Sequence, residues 1–131
     1  MKMIGELFCE GGFVVTDLGE EGRVHCSASL LPLMDSKVLA AHFPGKPIVP
    51  GACIVAAVSE LVCRTLAKKL QISLIKNIKF LSLIEPKEGE PIVFEIDIER
   101  ETKKVKAVVS YCDAVSCKMS LAMGEEVLAD D

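Results

Sequence analysis

Several features that place a chain in a membrane, outside the cell or on nucleic acid are missing from this sequence. No stretch of about 18 apolar residues is free of charge, so no membrane-spanning helix is predicted. The first residues, MKMIGELFCEGG, lack the long apolar segment of a signal peptide. A formal net charge of −4 argues against bulk nucleic-acid binding. These absences predict a cytoplasmic protein that binds neither membrane nor nucleic acid.

The six cysteines do not form the pattern of a metal site or a disulfide framework. No two cysteines are spaced as C-x-x-C, and neither histidine stands at zinc-finger spacing from a cysteine pair. Cys26, Cys53 and Cys63 lie in apolar surroundings, as small core residues do. We therefore expect free thiols, no bound metal and no cofactor.

The chain is unusually apolar for its size. Its 131 residues predict one domain, residues 1–131, and half of them are hydrophobic, with a mean hydropathy of +0.39. Either the core is large for so short a chain, or an apolar face is covered by another subunit. We favour the second interpretation, which predicts a homodimer or a higher oligomer.

Apolar periodicity predicts two strands, one buried helix and then four strands. The strands are expected at 13–17, 23–31, 74–84, 91–100, 105–111 and 115–123, and the helix at 49–70. A helical turn is expected at 36–41 and a frayed acidic tail at 124–131. This order is typical of an α+β domain in which an antiparallel sheet wraps one long central helix. His25 falls on the polar side of its strand, as a solvated or hydrogen-bonded histidine.

The segment before the helix, HFPGKPIVPG at residues 42–51, carries the residues most suited to chemistry. Three prolines fix its backbone, and Pro50 falls in the first helical turn, where a missing N–H costs nothing. Free N–H groups at that end, including that of Gly51, can bind a polarised carbonyl. His42 can serve as a general base because its unperturbed pKa lies near working pH, or it can merely cap the loop.

The segment resembles the signature of the bacterial 3-hydroxyacyl-ACP dehydratases of fatty-acid synthesis, and the general layout resembles that family over almost the whole chain. The resemblance implies a hotdog fold and dehydration of a 3-hydroxyacyl thioester to the trans-2-enoyl thioester. It also implies that His42 is the catalytic base and that the Gly51 N–H binds the thioester carbonyl. The family carries a catalytic Glu or Asp fourteen residues after the histidine, where this chain has Ala56.

Three sources could supply the missing acid, namely Glu60, Ser59, which is a poor acid at neutral pH, and a partner chain. Glu60 lies one helical turn beyond Ala56 and either replaces the acid or pairs with Arg64, its i,i+4 neighbour. Alternatively, the chain supplies the histidine to a heteromer with a paralogue that bears the carboxylate. That hypothesis predicts an isolated protein that is nearly inert.

The resemblance also implies a ligand and a partner. The ligand is an acyl chain held in an apolar tunnel along the helix at a dimer interface, delivered on the phosphopantetheine arm of an acidic acyl carrier protein. Candidate tunnel residues, each of which can equally be ordinary core, are Phe43, Pro50, Cys53, Ala56, Ala57 and Phe80. Basic residues that either frame the tunnel mouth or form a solvated face are Lys46, Arg64, Lys68, Lys69, Lys76 and Lys79.

Three functions therefore remain open from the sequence. The first is a 3-hydroxyacyl-ACP dehydratase. The second is a catalytically impaired acyl-binding or heteromer-forming hotdog subunit, which Ala56 favours. The third is a hotdog acyl thioesterase, which would release a free thiol and form no enoyl product.

Overall fold

The computed structural model describes residues 3–19, 22–41, 45 and 47–125. Within these ranges six strands and two helices follow one another. The strands are β1 (Phe8–Asp17), β2 (Arg23–Pro32), β3 (Leu70–Phe80), β4 (Ile92–Glu99), β5 (Lys104–Tyr111) and β6 (Ala114–Glu125). The helices are α1 (Lys37–Ala41) and α2 (Gly51–Leu66), both between β2 and β3. The predicted order of elements is confirmed, including the helical turn at α1.

All six strands belong to one antiparallel sheet with the order β1-β2-β4-β5-β6-β3. Strands β1 and β3 therefore lie at its two edges. The predicted alternation holds in β4, where Ile92, Phe94, Ile96 and Ile98 are buried on one face. We call this the inner face, and the face that carries the intervening residues the outer face. Two register shifts interrupt β3, between Ile72 and Leu74 and between Ile75 and Asn77.

Helix α2 packs on the sheet and contacts β2, β3 and β4. Its buried residues are Cys53, Ile54, Ala57, Val58, Leu61 and Val62, which join the buried strand residues in one core cluster. Because apolar residues recur at helical spacing over four turns, this burial drives the helix to form against the sheet. Among the described residues, no helix has the length and apolar character needed to cross a bilayer.

The C-terminal end of α2 differs from the prediction. The helix has 16 residues and ends at Leu66, whereas it was expected to continue to residue 70, so the predicted long helix was wrong at that end. Ala67 adopts the left-handed conformation with φ 54°, and the Lys68 N–H donates to the Cys63 carbonyl. This closing arrangement turns the chain into β3, which begins at Leu70 rather than at residue 74.

The first described residues contribute to the core, although the sequence pattern predicts no element before residue 13. Met3, Leu7 and Phe8 are all buried, and β1 begins at Phe8 rather than at residue 13. At the other end β6 continues to Glu125, which pairs with Leu70, so the frayed tail does not begin at residue 124. Residues 126–131 lie outside the described ranges.

Candidate functional site

The start of α2 forms the candidate site. Gly51 is the first helical residue and follows Pro50, whose backbone is extended and whose carbonyl accepts hydrogen bonds from the N–H groups of Cys53 and Ile54. Within the described part of the chain, no acceptor bonds to the Gly51 N–H. The helix dipole places partial positive charge at this end, so the N–H is suited to a polarised carbonyl. His42 and Phe43 lie outside the described residues.

The ring of Phe80 lies directly on Gly51. A Cβ atom added to Gly51 would stand 2.7 Å from Cζ and 2.9 Å from Cε1 of Phe80, closer than such atoms approach. Only a glycine therefore allows this packing, which joins the end of β3 to the start of α2. Phe80 remains 53% exposed, so the ring borders solvent as well as the helix.

Further along α2, the candidate residues divide between two faces. Cys53 and Ala57 are buried in the core cluster, and desolvation by burial raises the pKa of the Cys53 thiol. Ala56 is half-buried and packs against the edge of that cluster. Its methyl group can neither donate nor accept a proton, so this position supplies no acid.

Glu60 holds the N-terminal segment. Its Oε2 accepts a hydrogen bond of 2.7 Å from the Met3 N–H, and its Oε1 accepts one of 3.2 Å from the Ile4 N–H. Arg64 instead donates to Glu10 and lies over the ring of Phe13, with 5.3 Å from Cζ to the ring centroid. The hypothesis of a Glu60–Arg64 ion pair is therefore wrong, because each side chain has a partner from a distant part of the chain.

A charged cluster on the outer face was not predicted, because His25 was expected only to be solvated or hydrogen-bonded. His25 Nδ1 lies 2.7 Å from Asp97 Oδ1, and Nε2 lies 2.5 Å from Glu95 Oε2. The Ser27 hydroxyl donates to the other oxygen of Glu95. Hydrogen bonding to Asp97, together with the Glu95 carboxylate, raises the pKa of His25 against the opposing effect of burial. Because both ring nitrogens face carboxylates, this geometry favours the imidazolium.

The cluster and the start of α2 lie on opposite faces of the sheet. In the cross-strand register His25 is directly opposite Asp97, so the i,i+2 carboxylates of β4 were the available sequence signal. The sequence alone does not show that β2 pairs with β4, so the cluster could not be predicted from it. In the described ranges, no group of three His, Cys, Asp or Glu side chains is arranged to hold a metal ion.

The six predicted basic residues do not form one patch. Lys46 lies outside the described residues, and Arg64 is engaged with β1. Lys68 and Lys69 follow the end of α2, whereas Lys76 and Lys79 lie on β3 beside lysines of other strands.

The edge of the sheet formed by β3 is apolar. Leu74, Ile75 and Phe80 of β3 are each more than half exposed, and Leu81 and Leu83 continue this surface. An apolar edge strand with an unpaired ladder is a surface that another chain can cover. The same strand brings Phe80 to Gly51, so this edge adjoins the candidate site.

Comparisons with known proteins match the sequence to a family. The model of the family described as ApeI-like, ApeI dehydratase, matches residues 20–120, which include the 42–51 segment and Ala56. A curated relative, the 3-hydroxyacyl-[acyl-carrier-protein] dehydratase FabZ of Caulobacter sp. (strain K31), is 24% identical. That match covers 84% of this chain and 75% of the relative.

Solved structures share the fold. An uncharacterized protein from Erwinia carotovora subsp. atroseptica superposes with a TM-score of 0.78 at 18% identity, covering 91% of this chain and 97% of its own. The dehydratase heterocomplex ApeI:P from Xenorhabdus doucetiae contains a chain that superposes with a TM-score of 0.67 at 17% identity. The match covers 88% of this chain and 96% of that one. The antiparallel six-stranded sheet and its helix thus match hotdog-like dehydratase structures.

Proposed function

Since the chain belongs to the ApeI-like dehydratase family, we propose that it takes part in dehydrating a 3-hydroxyacyl thioester to the trans-2-enoyl thioester, in fatty-acid or related acyl-chain synthesis. The observation that carries the proposal is the Gly51 N–H. It opens a helix, has no acceptor within the described residues, and belongs to the residue on which Phe80 packs. The thioester carbonyl accepts a hydrogen bond from this group, which stabilises the developing enolate.

The reaction needs two proton transfers. A base removes the proton next to the thioester carbonyl, and an acid protonates the departing hydroxyl, so that water and the enoyl thioester are formed. In the proposal His42 is the base. Ala56 cannot be the acid, and to become the acid Glu60 would have to release the N–H groups of Met3 and Ile4.

We therefore propose that a second chain supplies the acid. The apolar edge formed by β3 supports this step, because it adjoins Gly51 and presents an unpaired strand to a partner. The heterocomplex described for the structural neighbour is a precedent for two different chains in such an assembly. The partner is a paralogue with a carboxylate at the position of Ala56, and a homodimer of this chain alone is then nearly inert.

In this assembly the acyl chain lies along α2. Pro50 and Ala56 are half-buried, and Phe80 is half-exposed, so these side chains can contact a ligand at the helix start. Cys53 and Ala57 already pack in the core of this chain and would support the ligand from behind. The proposed carrier of the thioester is an acyl carrier protein, and the proposed compartment is the cytoplasm.

The test is hydration of a crotonyl thioester, followed by loss of the enoyl absorbance. The native chain alone should be nearly inactive, and Ala56→Glu should raise the rate by about a hundredfold or more, the usual contribution of a general acid. Ala56→Gln is the matched control, because glutamine has the same shape as glutamate but no ionisable proton. His42→Ala should abolish the activity of the Ala56→Glu variant.

Other outcomes identify the alternatives. A folded Ala56→Glu variant without activity would refute the assignment of the site. Activity of the native chain alone would point to an acid within it, and Glu60→Gln would then be the next variant. Release of free thiol without enoyl chemistry would identify a thioesterase.

A further inference from the structure

Five lysines cluster on the outer face of the sheet. We call this surface the lysine face, and its members are Lys76 and Lys79 of β3, Lys104 and Lys106 of β5, and Lys118 of β6. All five side chains are exposed, and they line two adjoining depressions that share Lys106. The cluster is notable because the whole chain has a formal net charge of −4.

Carboxylates border one of the two depressions, because Asp97 and Glu99 line it and Asp97 is directly opposite Lys106. Glu95 and Asp97 of β4 turn toward β2, where they bond to His25 and Ser27. Glu99 accepts a hydrogen bond from the hydroxyl of the nearby Thr102. Within the described ranges, none of the five lysines forms a close ion pair. After the Thr102 hydroxyl, the charges of Lys104 and Lys106 help to lower the pKa of Glu99. The depression that holds Lys79 and Lys118 has no carboxylate in its lining, so the charges of these two lysines are available to a partner.

One pair of these lysines works against stability. Lys79 and Lys118 are directly opposite each other in the register of β3 and β6, and both point to the outer face. Lys106 also lines this depression, and the other outer-face side chains there, Asn77, Val108 and Ser120, carry no charge. Like charges directly opposite in a sheet are destabilising, so this pair is better explained by a ligand than by folding.

The lysine face also reaches the candidate site. Lys79 immediately precedes Phe80, whose ring lies on Gly51, and β3 is the edge of the sheet. A protein bound at Lys79 and Lys118 therefore lies beside the end of β3. A flexible arm of that protein could pass around this end to the start of α2.

We propose that the lysine face is the docking surface for an acidic acyl carrier protein, which presents the thioester around the end of β3. This inference rests on the proposed function for the nature of the carrier. It assigns docking to the outer face, through β3, β5 and β6, and not to Lys68 and Lys69 after the helix. Charge complementarity supplies the attraction, and such contacts weaken as salt is added.

Charge reversal tests the assignment. The variant Lys79→Glu/Lys118→Glu and the matched control Lys68→Glu/Lys69→Glu change the net charge equally, and all four lysines are exposed. Affinity for a fluorescently labelled, purified acyl carrier protein is measured by anisotropy at two salt concentrations. The first variant should lose about tenfold in affinity and most of the salt dependence, and the control should change by less than about twofold.

The outcomes separate docking from catalysis. Equal losses in the two variants, or none in either, would overturn the proposal. The proposal would also be overturned if Lys79→Glu/Lys118→Glu lost binding to phosphatidylserine vesicles and bound the carrier as before. The surface would then be a lipid site. In the Ala56→Glu background, carrier binding that depends on Lys79 and Lys118 without turnover of crotonyl-pantetheine would support docking and contradict only the proposed reaction. Turnover of crotonyl-pantetheine in that background, with carrier binding unaltered by the lysine substitutions, would contradict only docking.

Discussion

Removing the carboxylate of Glu60 should detach the N-terminal segment from α2. This carboxylate accepts hydrogen bonds from the backbone N–H groups of Met3 and Ile4, more than fifty residues earlier in the chain. Met3 and Leu7 in the same segment are buried, so their packing depends on where the backbone is held. Glu60→Ala removes both acceptors at once, whereas Glu60→Gln keeps one oxygen and places an amide group opposite a backbone donor.

The expected loss of stability follows from these two bonds. A hydrogen bond to a charged group contributes about 1.5–3 kcal/mol, and water replaces part of that contribution because Glu60 is only half-buried. We expect Glu60→Ala to lower the free energy of unfolding by roughly 2 kcal/mol and Glu60→Gln by roughly 1 kcal/mol. For a chain of this size, the first loss lowers the Tm by roughly 6–10 °C.

Thermal unfolding and amide hydrogen exchange measure this effect. Glu6→Gln is the matched control, because Glu6 lies in the same segment with an exposed side chain. The amides of Met3 and Ile4 should lose protection in both Glu60 variants and keep it in the control. Native stability and protection in Glu60→Gln would refute the reasoning. An active native chain together with an inactive Glu60→Gln variant of native stability would identify Glu60 as the acid.

Three further predictions concern other parts of the molecule. In the Ala56→Glu background, Gly51→Ala should push the ring of Phe80 aside by about 1 Å and lower kcat/KM with the crotonyl thioester by up to about a hundredfold; an unchanged kcat/KM would contradict a site at this contact. The two carboxylate partners of His25 raise its folded-state pKa, so their stabilisation should be complete below the unfolded pKa of about 6.5 and fade as the pH rises through the folded value. Urea unfolding should show that the free energy of unfolding falls with rising pH over this range in the native chain and does not in His25→Gln. The same pH dependence in both proteins would exclude the histidine as its source. Lys118→Glu should replace repulsion of Lys79 by attraction and stabilise the chain by about 0.2–1 kcal/mol, measured from the urea midpoint; a lower midpoint would contradict the assigned register.

The sequence predicted the fold wherever local periodicity carried the information. Strand β4 alternates without interruption, and the buried side of α2 follows helical spacing over its whole length. The end of α2 was misplaced because Leu70 continues the apolar spacing, whereas Ala67 gives no sequence signal for the left-handed conformation that ends the helix.

The sequence did not predict those parts of the candidate site that depend on contacts between residues far apart in the chain. The motif at 42–51 placed the helix start within two residues, because prolines and glycines act on the local backbone. The helix begins at Gly51 rather than at residue 49, and Pro50 is an extended N-cap rather than part of the first turn. Glu60 was compared only with neighbours on its own helix, although its partners come from the N-terminal segment. Lys79 was likewise grouped with lysines near it in sequence, because the register that sets it opposite Lys118 joins strands about forty residues apart.

The two register shifts in β3 have a consequence for how the protein avoids aggregation. A long apolar edge strand with evenly spaced N–H and C=O groups would recruit strands from any exposed sheet, including those of unfolded chains. Each bulge twists the edge and breaks that even spacing, so only a strand with a matching irregularity pairs along its full length. We therefore expect the bulges to make the edge selective for its own partner, and to keep the unassembled chain from stacking into open-ended fibres.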